Sequence, residues 1–370
     1  MRVVGLVVAA VLASVGTAGA LSVEKLLGNG RLVVYERDPS AHPSPRALRR
    51  DAQSLHAIGF RAVTTHATTP ASAPVCRFFK RHGFATVLVG IADPTDAAEL
   101  RRAVRLRRCA DGYVVGTGGL AAGRYDRDAL ARAIAQVRKQ AGRPVTTREP
   151  AETLRADPAL ARIGDWVFPI VQPWDAGKHE GQEACGYTVF AYRDVAGLAP
   201  AGVPTVIAET GLPTEGAPAT SEHYQRAFFL CVESRQAPFG YFTAFDDSAS
   251  ADPLRAHGGL FRADGSPKLW AAQQLAPELV VERRGGTVLG HVTHVPRDLV
   301  QVVVYVQGEG WQRLPPVTID RHGEWVADVP PGRLAVVYVA ARTWVPPHAV
   351  DRRPRTDRTQ VFVERELPAM

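Results

Sequence analysis

Glu209 stands where a short apolar run, Thr205-Val206-Ile207-Ala208, gives way to Thr210-Gly211-Leu212-Pro213. A buried strand reads as such a run, and glycine and proline end it. The carboxylate is therefore expected at the carboxyl end of a strand, the end at which barrel enzymes keep their chemistry. Held there, it can act as a nucleophile or move a proton.

The elements around it repeat. Strand-like runs at residues 32–35, 62–65, 86–91, 113–116, 144–147, 166–171, 205–208 and 240–245 alternate with helical patterns at 45–56, 73–82, 95–108, 126–141, 151–155, 184–194, 221–234 and 268–275. Strands each followed by a helix pair in parallel through right-handed crossovers, and eight such units close as a (β/α)8 TIM barrel. Pro45 suits the first turn of its helix and Asp126 an N-cap. The barrel is assigned to residues 21–279.

Residues 280–370 have a different texture. Short β-branched strands at 287–292, 300–306, 317–320, 324–329 and 334–341 are separated by turns, the pattern of a small all-β sandwich. Trp311, Trp325 and Trp344 lie in this tail, where aromatics either fill a small core, the favoured reading, or offer a platform for sugar.

Composition narrows the function. The chain has 370 residues, of which 22% are charged and 46% hydrophobic, with a formal net charge of +7, as expected of an ordinary folded protein. The positive charge is scattered arginine, without a basic stripe interleaved with aromatics, so nucleic acid is not an expected partner. Arg2, an apolar run over residues 3–15 and Ala18-Gly19-Ala20 form an export signal over residues 1–20. The mature chain is expected in the periplasm or outside the cell, without a stable membrane span, and as a monomer. Cys76, Cys109, Cys185 and Cys231 fit no zinc or thiol-protease pattern, and export permits disulfides. Three pairings exist; Cys76 with Cys109 is favoured, because each lies on or just after neighbouring barrel helices. No metal or cofactor is implied.

The segment Ala208-Glu209-Thr210-Gly211-Leu212-Pro213-Thr214 resembles the nucleophile motif of glycoside hydrolase family 17, the β-1,3-glucanases, with Leu212 where the family has Trp. Pro144-Val145-Thr146-Thr147-Arg148-Glu149-Pro150 resembles the family's fifth strand, and Phe168-Pro169 through Pro173-Trp174 its sixth. Phe245-Asp246-Asp247, His257-Gly258-Gly259-Leu260-Phe261 and Asp264-Gly265-Ser266-Pro267-Lys268 resemble its eighth-strand loop. The tail resembles an accessory β domain of bacterial exported polysaccharide proteins, through Val304-Tyr305, Gly310-Trp311 and Asp320-Arg321-His322-Gly323-Glu324-Trp325.

The resemblance implies a retaining glycosidase acting on β-1,3-glucan or a related polysaccharide, with Glu209 as nucleophile and an acid/base carboxyl about 5–5.5 Å away. It also implies ligand contacts near Thr117, Gly118, Trp174, Tyr241, Asp246 and Asp247, although Trp174 can equally pack inward and an aromatic inside a strand, as Tyr241 is, more often belongs to the core. The family's acid/base follows the fourth strand in a Val-Gly-Asn-Glu motif, and the corresponding segment here is Val115-Gly116-Thr117-Gly118. Arg255 replaces a supporting Glu. Three expectations follow: another carboxyl, from Asp175, Glu183, Glu215 or Asp246, supplies the proton; the protein acts as a transglycosylase or on an activated donor; or it binds polysaccharide without cleaving it.

Overall fold

The computed structural model describes residues 22–36, 44–275, 278–293, 300–320, 323–341, 346–351 and 361–369. The expected export signal and Trp344 lie outside the described residues. Seven parallel strands form one sheet: Arg31–Val34, Phe60–Thr64, Thr86–Ile91, Gly112–Thr117, Val145–Arg148, Ile207–Thr210 and Phe239–Tyr241. The first pairs with the second on one side and with Phe239–Tyr241 on the other.

The sixth expected strand, residues 166–171, is present as separate parallel bridges, Pro150↔Ile170, Val167↔Thr205 and Ile170↔Glu209. Pro169 has no N–H to give, which interrupts a continuous ladder. These bridges close the sheet, and the chain is a (β/α)8 barrel in which Ile207–Thr210 is the seventh strand and Phe239–Tyr241 the eighth.

Buried strands and amphipathic helices make the layers. Every residue of Thr86–Ile91 is buried, as a parallel strand covered on both faces requires. Leu32, Ala62, Leu88, Val114, Trp166, Phe168, Val206 and Ala208 fill the barrel interior, with Leu26 of the short helix Val23–Leu26 in the same cluster. Pro45 opens its helix and Asp126 caps its own, as expected, while Ser44 caps the helix that Pro45 opens and Ser221 caps another: the Ser44, Asp126 and Ser221 side chains accept from the backbone N–H groups of Ala47, Ala129 and Tyr224. Disulfides join Cys76 to Cys109 and Cys185 to Cys231, the second linking helices Gly181–Ala196 and Glu222–Ser234. No helix among the described residues is long and apolar enough to cross a membrane.

From Glu278 onward the strands are antiparallel. Glu278–Arg284, Thr287–Thr293 and Glu324–Asp328 form one sheet; Val300–Gln307, Trp311–Arg313, Ala335–Ala341, Ala349–Val350 and Val361–Leu367 form another. The strand expected at 317–320 is reduced to the bridge Val302↔Val317. Trp311 and Trp325 are buried in the two apolar clusters of this region, as the core reading expected.

Candidate active site

Side chains alternate along a strand, so Leu32, Val34 and Glu36 share one face of the first strand's path, as do Ala62, Thr64 and His66 on the second. Continuing past the strand ends, that inward face brings Glu36 and His66 to the barrel mouth. Glu209 arrives differently. The register between the seventh and eighth strands shifts between Ile207 and Thr210, and Glu209 turns into the mouth although its neighbour Ala208 already lies in the barrel interior.

Glu209 is only 4% exposed and meets two cations. Its Oε1 lies 2.8 Å from Arg148 Nη1 and 2.6 Å from His66 Nε2. Oε2 takes no hydrogen bond from any described residue. His66 Nδ1 is 2.5 Å from Glu36 Oε2, so one imidazole spans two carboxylates. The Glu36 side chain is 42% exposed and that of His66 15%, which makes Glu36 the open end of the chain of contacts.

The electrostatics follow from these distances. Burial opposes charge on Glu209, but Arg148 and His66 prevail and hold its carboxyl at about 2. Burial also opposes the imidazolium, but the Glu209 and Glu36 carboxylates raise His66 to about 9. Desolvation works against the Glu36 carboxylate, and the imidazolium beside it holds it below the usual range. At neutral pH the linked side chains Glu36, His66, Glu209 and Arg148 therefore carry two carboxylates, one imidazolium and one guanidinium.

Arg148 is fully buried, and its Nη2 donates to Thr117 Oγ1 at 3.1 Å. The Gly118 N–H donates to the Arg148 carbonyl at 2.9 Å. Thr117 and Gly118 therefore sit one step from Glu209, on the edge where the family resemblance expects an acid. Gly118 has φ +56°, and a Cβ there would lie 3.7 Å from Ile170 Cδ1 and 3.9 Å from Pro150 Cδ, ordinary contacts. Gly119 has no such room, because a Cβ there would run into the Tyr125 ring. Tyr125 Oη donates to Glu149 Oε1 at 2.6 Å and accepts from the Gly119 N–H at 3.0 Å, pinning this loop with a buried acid whose carboxyl burial pushes up.

The other expected ligand contacts are more enclosed. Tyr241 is fully buried against Phe229, between the strands and the helix layer, because its place in the eighth strand points it away from the mouth; this corrects its assignment to the ligand site. Trp174 packs with Val34, Phe242 and Leu254 as a buried wall of the mouth, so it offers no open stacking face. Arg255 lies over the Phe242 ring at 5.9 Å and its charge helps hold Glu209 ionised.

Asp246 is committed to the fold. Lys268 Nζ, almost wholly buried, donates to Asp246 Oδ1 at 2.7 Å, to Thr214 Oγ1 at 2.8 Å and to the His257 carbonyl at 2.9 Å. Asp247 accepts from the Ala249 N–H within its own turn. Among the remaining acids, Glu183 pairs with Lys178 at 2.6 Å, Glu215 is 70% exposed and 3.8 Å from His257, and burial pushes the Asp175 carboxyl up. None of these three contacts Glu209. Among the described residues there is no cluster of three or more side chains fit to hold a metal ion.

Sequence reasoning missed Glu36, His66 and Arg148 as partners of Glu209. Glu36 and His66 are each the first residue past an expected strand, a signal available beforehand. The barrel superposes on CJP38, a β-1,3-glucanase and allergen of Cryptomeria japonica pollen, with a TM-score of 0.50 and 14% identity over 64% of this chain and 96% of that one. The barrel has the fold of the plant β-1,3-glucanases. A plant β-glucan endohydrolase gives the same TM-score and identity over 64% of this chain and 97% of its own. No family model matches this glucanase-like chain, and no curated protein does.

Proposed function

We propose that this chain is an exported glycoside-hydrolase-like protein that takes β-1,3-glucan or a related polysaccharide in the mouth of its barrel, with Glu209 as nucleophile. The observation that carries the reading is the asymmetry of the Glu209 carboxylate: both cations grip Oε1, and Oε2 is left without a partner among the described residues. A nucleophile needs one oxygen fixed for direction and the other free to attack. Attack of Oε2 on the anomeric carbon breaks the glycosidic C–O bond and leaves a glycosyl ester, which water then hydrolyses. The Arg148 and His66 charges keep the attacking group ionised throughout. Two disulfides support an oxidising compartment.

A second reading has its own observation. Position 118 holds glycine, so the side chain that would protonate a leaving oxygen from that edge is missing, and a protein that binds glucan without cleaving it fits as well.

The test is an activated 2,4-dinitrophenyl 2-deoxy-2-fluoro-β-glucoside, whose leaving group needs no proton. A covalent mass increase that maps to the Glu209 peptide, and is absent in Glu209→Gln, supports the nucleophile. Retention of the protein on β-1,3-glucan beads with no adduct and no sugar released from the glucan would instead establish the binding reading.

A further inference from the structure

The mouth lacks an acid at position 118, yet it contains a second carboxylate that the family resemblance does not anticipate. Glu36 extends from the end of the first strand, and its Oε2 sits 2.5 Å from His66 Nδ1, while the opposite ring nitrogen sits 2.6 Å from Glu209 Oε1. The three side chains thus come from strands one, two and seven and meet through one imidazole. Glu36 is the most exposed of them, and its second oxygen takes no hydrogen bond from a described residue. Asp175, Glu183 and Glu215 have no comparable link to Glu209.

We infer that Glu36, coupled to His66, is the proton donor and acceptor of this site and takes over the work of the carboxyl that position 118 lacks. The inference rests on the glycosidase reading of the mouth. The Nδ1 proton of the His66 imidazolium passes to the Glu36 carboxylate and from there to the leaving oxygen, as the glycosidic C–O bond breaks and the new C–O bond to the anomeric carbon forms. The pair ends as neutral imidazole and carboxylate. In the second half, Glu36 takes a proton from the incoming water and returns it to Nδ1.

Two hydrogen bonds and the width of an imidazole separate the Glu36 and Glu209 oxygens, on the order of 7 Å, above the retaining distance and near the lower limit of the inverting one. The stereochemistry of the product therefore separates the role of Glu36 from that of Glu209. Retention belongs to a covalent Glu209; inversion would make Glu209 the base that activates water, with Glu36 still protonating the leaving group. The charged groups facing the imidazole are Glu36, Glu209 and Arg148.

The experiment compares wild type with Glu36→Gln, a near-isosteric change at a partly exposed position, on β-1,3-glucan and on 2,4-dinitrophenyl β-glucoside. Loss of general acid help should lower kcat/KM on glucan by about 10²–10⁴-fold and spare the activated substrate to within about tenfold. If Glu209 is the nucleophile, azide, which needs no base, should raise kcat on the activated substrate in Glu36→Gln and leave as a glycosyl azide, which a misfolded protein cannot show. The alkaline limb of the wild-type glucan profile should fall near 9, where His66 loses its proton. Equal losses on both substrates, an unchanged rate on glucan, or a wild type that cleaves neither substrate would overturn the assignment. Selective loss on glucan together with an inverted product and no Glu209 adduct would overturn the nucleophile reading and leave Glu36 in its role.

Discussion

Arg148 Nη1 lies 2.8 Å from Glu209 Oε1, with the arginine fully buried and the glutamate nearly so. Removing one member of a buried ion pair strands the other charge, which typically costs about 3–5 kcal/mol. Arg148→Leu is expected to lower the unfolding free energy by that order and to push the Glu209 carboxyl upward. Urea melts at neutral pH measure the first effect, and an NMR titration of the Glu209 side chain measures the second. A loss under about 1 kcal/mol would mean that water already screens the pair.

The same network predicts how stability depends on pH. His66 is raised to about 9 from its ordinary 6.5, so the stability it lends is complete below 6.5 and is lost as pH rises through 9. Glu209 is lowered from 4.5 to about 2, so its contribution is complete above 4.5 and is lost as pH falls toward 2. The network should therefore stabilise most between about 4.5 and 6.5. Urea midpoints across this range should decline on either side. In Glu209→Gln the alkaline decline should shrink, because His66 loses the larger of its two carboxylate partners. A wild-type midpoint that rises between pH 7 and 9 would contradict the ion network.

Gly118→Glu tests the empty edge. The site has room for a Cβ, but its φ of +56° is left-handed, which costs an ordinary residue about 1–2 kcal/mol. The variant should be that much less stable and should cleave β-1,3-glucan faster than wild type, with the gain abolished by Glu209→Gln. A folded variant that binds glucan and gains nothing would show that position 118 does not face the scissile bond.

The β region should be dispensable for folding of the barrel. Among the described residues, no cluster of buried apolar side chains mixes residues up to 275 with residues from 279 onward. A chain ending at Leu275 is expected to melt cooperatively and to keep any glucan binding. If it folds and binds nothing, the sandwich holds the ligand site.

The barrel was legible because parallel strands covered on both faces are apolar throughout, as Thr86–Ile91 is, and because Pro45 and Asp126 announce their helices. The sixth strand was legible as a run but not as broken bridges around Pro169. Glu209 was found from its motif; strict alternation after the inward Ala208 would have turned it outward, and only the register shift brings it in. Its partners are a different matter. Glu36 and Glu209 stand 30 and 143 residues from His66, and local pattern carries no information about pairing over such distances. Tyr241 misled for a related reason, since a three-residue strand gives too little periodicity to say which face an aromatic takes.

Lys268 gives the mouth a mechanical asymmetry. Its ammonium joins Thr214, after the seventh strand, to Asp246 and the His257 carbonyl, after the eighth, in a setting almost closed to water. Displacing either loop would expose a buried cation and break charge-assisted hydrogen bonds together, so the two loops must respond to a ligand as one body. Adaptation to the shape of a polysaccharide then falls to the opposite wall, after the fourth strand, where Gly118 stands, and the side that carries Glu209 acts as the fixed jaw.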